Sequence, residues 1–366
     1  MHRGRALALG IVVVAIAGCV LFGGCADEPT ATTDAGAPPA RDAGPSDAGP
    51  PYDAGPLPPF TGEHTFPAVE LAPGGERLSL CQSWTLNNDE DLWVHEVEMT
   101  AGAGWHHSNW MFVPETAFPG ADGTWRCSER EFSEVAASIA GGSVFFAQST
   151  QSTGERQTFP PGAAYRIPAR SRIIGSIHVL NTSPEPIATS IGFRIGAIAE
   201  DEVTTALHPL AIDNRGIDLA PRSRTEVTTG CDLRRANGGA LEFSAFYVLP
   251  HYHAIADGLR VQILGGPRDG EIVFETSGGI GNALGGPLEP PIDLRGADGL
   301  RVTCTYDNTG AERVAWGANA EDEMCTMLAY TDALVTFGGI ASSIATTDTL
   351  GDGTVRQESS CLVIRN

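Results

Sequence analysis

Five histidines and one methionine stand at spacings suited to gripping transition-metal ions. His251 and His253 flank Tyr252 in a strand-like segment. Residues i and i+2 of a strand face the same side, about 6–7 Å apart along the chain, so both imidazoles can reach one ion. Met324 follows downstream and offers a thioether, a soft donor that favours Cu(I). Earlier in the chain His106 and His107 are adjacent, and His178 comes after them. The interval from His107 to His178 equals that from His253 to Met324, so each half carries a close pair of imidazoles and then a single donor. This suggests two domains of similar plan, each with a three-ligand site. Adjacent strand residues face opposite sides, so His106 and His107 share an ion only if a bulge or strand end falls there. Gly102, Ala103 and Gly104 just upstream could provide that irregularity. Without it, one histidine of the pair is buried and the other exposed.

The remaining polar residues carry no comparable pattern. His64, at the start of the first domain, is expected to be exposed; His95 fits an alternating strand and His208 falls near the domain junction. Glu96, Glu98, Asp322 and Glu323 could suggest paired carboxylates, but they read as solvated groups or as support behind the metal ligands. No Gly-x-Ser-x-Gly elbow and no His-Glu-x-x-His helix occurs. All 23 basic residues are arginine, so Schiff-base chemistry and a P-loop lysine are both excluded.

The elements that must position these donors are strands. The 366 residues suit two domains, and 44 Gly with 25 Pro point to many short strands joined by turns. Segments 143–147, 173–179, 241–249, 259–264 and 300–306 alternate or are β-branched and aromatic. Glu131 to Ala140 is the best candidate for a short helix. The expected fold is all-β: two tandem antiparallel β-sandwiches, jelly-roll-like, covering 63–205 and 206–366, with the boundary near Glu202–Leu207.

Ahead of them stands an export signal over residues 1–25. Arg3 and Arg5 precede an apolar run to Phe22, and small residues then precede Cys19 and again Cys25. Cys25, with the more polar sequence after it, is the expected lipidation point, and Cys19 is the alternative; a transmembrane anchor is the competing reading of the apolar run. Residues 26–62 repeat Asp-Ala-Gly-Pro at 42–45, 47–50 and 53–56, which reads as a flexible, disordered tether. Six cysteines follow, at 81, 127, 231, 304, 325 and 361; an even number in an exported chain favours disulfides, and spacing alone does not choose among fifteen pairings. No Cys-x-x-Cys pair is present, which argues against a zinc ribbon or thioredoxin-type site. The net charge of −22 lies mostly beyond the tether, so nucleic acid is excluded as a partner.

Together these residues resemble the copper type II, ascorbate-dependent monooxygenases, the family of the peptidylglycine- and dopamine-hydroxylating enzymes. The likeness covers roughly residues 64–335. Trp105 through Phe112 resembles the family's double-histidine segment, and Gly175 through Leu180 the strand bearing its third histidine. Tyr247 through His253 resembles its His-x-His strand, and Asp322-Glu323-Met324-Cys325 its Asp-Glu-Met-Cys signature, the most specific of the four.

The resemblance implies two coppers per chain. His106, His107 and His178 would hold an electron-transfer copper; His251, His253 and Met324 would hold the catalytic one, where O2 is used to hydroxylate a substrate C–H bond. It implies two coppers facing each other across an open cleft, unbridged, with ascorbate or a similar reductant as co-substrate. It also implies the disulfides Cys81–Cys127, Cys231–Cys361 and Cys304–Cys325. Departures are visible: the Arg and Tyr with which peptide-amidating members grip a carboxylate are matched here by Leu249 and Leu328, and a family Gln by Ser176. Peptide amidation is therefore not expected, and the small-molecule substrate is open.

The resulting expectation is a monomeric copper monooxygenase, exported and lipid-anchored at the bacterial cell envelope, in the periplasm or on the outer surface, touching membrane through its anchor alone. The alternatives are a non-catalytic copper-binding surface lipoprotein on the same scaffold and a purely structural β-sandwich.

Overall fold

A computed structural model of the chain describes residues 61–365; the leader, with Cys19 and Cys25, and nearly all of the tether lie outside the described residues. Those residues fold as all-β, as composition and alternation predict. The first half contains two main sheets. One runs in the order Gly62–Thr65, Ile191–Ile198, Leu92–Ala101, Ala163–Ile167 and Thr205–Ala206, with Gly154–Thr158 also pairing to Leu92–Ala101. The other runs Gly123–Arg126, Glu76–Thr85, Ser171–Leu180, Trp105–Pro114 and Ser143–Ala147. Their facing sides bury Val97, Met99, Trp110, Phe146, Ile173 and Phe193 in one core.

The second half repeats the plan. Gly286–Asp293, Ser244–His251, Thr326–Thr331, His208–Asn214, Phe337–Ala341 and Leu362–Arg365 form one sheet. Ile272–Ser277, Ala256–Leu264, Gly299–Asn308, Ser223–Asp232, Val355–Ser360 and Thr346–Thr349 form the other. Leu210, Val248, Val261, Val302 and Phe337 fill the space between them. The sheets are not purely antiparallel. Thr205–Ala206 pairs parallel to Ala163–Ala164, and the returning C-terminal strands Phe337–Ala341 and Val355–Ser360 run parallel to His208–Asn214 and Ser223–Asp232. The short helix is Glu134–Ile139, capped by the Ser133 side chain on the Ala136 N–H.

One strand pair is buried on both faces. Val248, Met327 and Ala329 point into the core of the second half, while Tyr247, Leu249, Leu328 and Tyr330 join the core of the first. The alternation of a strand explains the split, and a bulge between Ala245 and Tyr247 sets its phase. Both sandwiches thus belong to one compact unit.

The three disulfides form as the resemblance implies: Cys81–Cys127, Cys231–Cys361 and Cys304–Cys325. Disulfides persist outside the reducing cytosol, so the folded part works in an oxidising compartment. Among the described residues no helix is long and apolar enough to cross a membrane.

Gly175 shows how tightly the histidine-bearing strands are joined. It pairs with Trp110 across the ladder, and a Cβ at this position would stand 2.3 Å from the indole ring. Gly175→Ala is expected to destabilise the fold by about 1–3 kcal/mol, read as a fall of several degrees in thermal unfolding. An unchanged melting temperature would show that the strand and indole can separate freely.

Candidate metal centre

The histidines of the first half reach the site through local irregularities. On the ladder between Trp105–Pro114 and Ser171–Leu180, His178 pairs with His107 and Val179 with Trp105, so His106 is the extra residue of a bulge. That irregularity lets adjacent histidines serve one place, and Gly104, at φ +84°, leads into it. His178 is skipped on its other side too, where the pairing with Glu76–Thr85 shifts between Ile177 and Val179.

The His-x-His segment departs from expectation. The strand runs Ser244–His251, not 241–249, so only His251 sits in the ladder and His253 lies just past its end. The reason is Glu323. Its carboxylate, 1 % exposed, accepts the backbone N–H of His253 at 2.9 Å, of Ile255 at 2.8 Å and of Met324 at 3.3 Å. Those bonds take the place of a sheet ladder and curl the chain after His251. Glu323 is therefore a buried support, not a solvated carboxylate.

The five imidazoles converge. Ring centroids are 5.2 Å apart for His106–His107, 4.4 Å for His106–His178, 5.1 Å for His107–His178, and 5.5 Å for His251–His253. The two halves also meet each other: His106–His253 is 5.2 Å, His107–His253 5.3 Å and His107–His251 5.4 Å. The resemblance implies two triads facing across an open cleft; here the histidines of both triads share one cluster, and all five are buried. The packing of Tyr247, Leu249, Leu328 and Tyr330 into the first half draws the two histidine sets together.

Met324 is placed by its backbone. Its N–H and that of His253 both donate to the same oxygen of Glu323, at 3.3 and 2.9 Å. The Tyr306 hydroxyl donates to the Met324 carbonyl at 2.6 Å, and the Cys304–Cys325 disulfide closes the same loop.

Hydrogen bonds fix the rings. His251 Nδ1 lies 2.6 Å from the Ser149 carbonyl, and His253 Nδ1 lies 2.9 Å from the Asp322 carbonyl. Donation to these oxygens puts the proton on Nδ1 and leaves Nε2 with its lone pair. His253 Nε2 is buried and has no hydrogen-bond partner among the described residues; the same is true of His178 Nδ1, whose ring is held on the other side by Glu76 at 2.7 Å. His107 Nε2 lies 3.4 Å from the Ala318 carbonyl, and the Gln151 amide lies 3.4 Å from His106 Nε2. Sequence reasoning missed Ser149 and Ala318, because a carbonyl acceptor carries no side-chain signature, and Gln151, because only the fold brings its side-chain amide to His106.

Burial keeps the cluster neutral. Desolvation, then repulsion from the neighbouring imidazoles, lowers His106 to about 2. Desolvation and His251 lower His253 to about 3, and the same causes hold His107 well below the usual range. His251 and His178 are also lowered, chiefly by burial. Neutral imidazoles offer lone pairs, which is the state a metal ion requires.

The other histidines stand apart. His64 is half-buried and stacks on Trp84 at 4.8 Å, so it is not simply exposed. His95 Nδ1 meets the Ala163 carbonyl, and His208 lines a cleft of about 330 Å³ with Trp93, Tyr165 and Tyr330. Glu96 is 1 % exposed and paired with Arg156 at 2.8 Å, a structural ion pair and not a solvated group.

No family model matches the chain, and no curated protein matches it. Solved structures share only a distant likeness. The PBSX exported protein XepA is 8 % identical with a TM-score of 0.20, covering 74 % of this chain and 86 % of its own. An archaeal virus protein with a triple jelly-roll fold is 9 % identical with a TM-score of 0.21, covering 74 % and 58 %. The tandem CBM22 domains of Paenibacillus barcinonensis Xyn10C are 10 % identical with a TM-score of 0.17, covering 76 % and 99 %. Scores this low carry no weight.

Behind His251 lies a second buried carboxylate. Glu155, 5 % exposed, accepts the N–H of Ser149 at 2.9 Å and its hydroxyl as well, and the Ser149 hydroxyl in turn accepts the Gly285 N–H at 2.9 Å. Burial pushes Glu155 up from 4.5 to about 7. A folded pKa above the unfolded one stabilises the fold fully below pH 4.5; that stability declines as pH rises and is gone once pH passes about 7. Glu155→Gln is expected to flatten this decline, by on the order of 3 kcal/mol between pH 4.5 and 8, in denaturant titrations at stepped pH. Parallel curves for the two proteins would rule the effect out.

Proposed function

We propose that the cluster is a copper centre and that the chain is a copper-dependent monooxygenase, hydroxylating a C–H bond of a small substrate with O2 and a reductant such as ascorbate. The supporting observation is the convergence of five buried, neutral imidazoles from two sandwiches, with the backbone of Met324 tied to that of His253 through Glu323. The donor set fits copper: imidazole suits it in either common oxidation state, and a thioether favours the reduced one. The orphaned Nε2 of His253 and Nδ1 of His178 fit it as well, since a buried lone pair without a partner is costly unless something binds there. His106, His107, His178, His251, His253 and Met324 would hold the metal. Copper, when bound, supplies the one-electron redox chemistry that O2 needs.

The chain's own residues perform the positioning. The Ser149 and Asp322 carbonyls hold the rings of His251 and His253 in the tautomer that presents Nε2. Glu323 anchors the turn after His251, and the aromatic contact between the halves keeps water from one side of the site. The basic, apolar leader ending at Cys25 or Cys19 supports a lipid-anchored protein of the bacterial cell envelope.

A second reading, a copper-binding lipoprotein without catalysis, is favoured by the low exposure of all five imidazoles and by the burial of Leu249 and Leu328. One experiment separates them: ascorbate-dependent O2 consumption by copper-loaded protein over a panel of small substrates, compared with Met324→Ala. The monooxygenase reading expects product formation and at least a tenfold loss in the variant. Equal turnover in Met324→Ala would sink the assigned oxygen site. Bound, redox-active copper with no hydroxylated product would favour the carrier. Copper at background after reconstitution would leave a structural sandwich with incidental histidines.

A further inference from the structure

We propose that one metal ion bridges the two halves, held by His106 and His107 of the first and His253 of the second. This deepens the reading of the cluster as a metal centre and rests on it, but it divides the ligands differently from one triad per sandwich.

Geometry carries the assignment. The rings of His106, His107 and His253 form a nearly equilateral triangle, with centroids 5.2, 5.2 and 5.3 Å apart. Each offers one nitrogen, and the three nitrogens lie within 4.8 Å of one another. Three imidazole nitrogens on a common ion, at 2.0–2.1 Å from it, stand about 3.3–3.6 Å apart. Binding an ion therefore draws the nitrogens together by on the order of 1 Å. His178 and His251 flank the triangle, one from each half: His178 touches His106 and His107, and His251 touches His107 and His253.

The halves are already latched around this place. Gly281 donates its N–H to the Thr150 carbonyl at 2.8 Å, and Gly285 donates to the Ser149 hydroxyl at 2.9 Å. The first half orients His251 through Ser149, and the second half meets His107 through Ala318. An ion in the triangle adds coordinate bonds across the same seam, so binding and closure are linked.

Co²⁺ is the probe, because its visible spectrum reports coordination without copper redox chemistry. The full chain is titrated with Co²⁺ as wild type, His106→Ala, His178→Ala, His253→Ala and the double variant His106→Ala/His253→Ala. A bridging ion predicts that His106→Ala and His253→Ala each abolish the tight equivalent, that the double variant is no worse than either, and that His178→Ala keeps it. If His106→Ala and His253→Ala each retain one tight equivalent and only the double variant loses both, the ligands divide by sandwich and the proposal is wrong. Wild type that binds no Co²⁺ overturns it as well.

Hydrogen exchange on wild type needs no variant. Co²⁺ is expected to protect the loops around Ser149 and Ala318 together, at the same stoichiometry. Protection of the two loops in separate phases would count against a bridge. The copper reading fails on its own terms: a Co²⁺ bridge with no O2 turnover leaves this proposal standing, and turnover with separate triads leaves only the monooxygenase.

Discussion

The contact on which the site depends is the packing of one strand pair, Ser244–His251 with Thr326–Thr331, against the core of the first sandwich. Tyr247, Leu249, Leu328 and Tyr330 are at most 4 % exposed and lie among Phe159, Tyr165 and Phe193. Tyr165 and Tyr330 stack at 5.4 Å, and Phe159 meets Tyr330 edge-on at 4.9 Å. Burying such rings contributes on the order of 2 kcal/mol each, well beyond what one hydrogen bond across the seam adds. His251 follows Tyr247 and Leu249 on the same face of the strand, so the packing that hides the tyrosine also aims the imidazole at the first half.

Crowding five imidazoles into one buried place is tolerable only while they are uncharged. A second protonated ring at about 5 Å in a poorly solvated site would cost several kcal/mol. The carbonyls of Ser149 and Asp322 accept one ring proton each, which satisfies that nitrogen and fixes which nitrogen is left over. Glu323 acts one step further out, holding backbone and not a ring. The same burial that makes protonation costly leaves lone pairs pointing at one another, and a cation relieves that arrangement directly.

Much of this was legible in the sequence because it depends on residue type and periodicity. Alternation marked Ser143–Ala147 and most of the strands around the histidines, and the run Gly102-Ala103-Gly104 marked the break that the adjacent pair needs. The stretch from Glu131 to Ala140 does contain the short helix, Glu134–Ile139. What stayed hidden depends on long-range approach. Nothing near Gln148–Thr150 announces that its carbonyls will face His251, because the partner is about a hundred residues away and the acceptors are backbone. Glu96 read as a solvated group or a support for the same reason: alone it suits an exposed strand, and only its meeting with the half-buried Arg156 explains the burial. The parallel pairings of Phe337–Ala341 and Val355–Ser360 follow from where the chain returns, which no local pattern states.

Leu249 and Leu328 connect the interface to the chemistry. They are paired across the ladder and buried at 1 % and 4 %. An arginine on this face would carry its charge into the aromatic contact, and an unpaired buried cation costs several kcal/mol, enough to hold the halves apart. Two leucines remove that obstacle. They let the sandwiches close until Tyr247 and Tyr330 reach Phe159. Closure then carries His251 and His253 to within about 5 Å of His106 and His107. The apolar packing of Leu249 and Leu328 is therefore part of what allows two sets of histidines to become one.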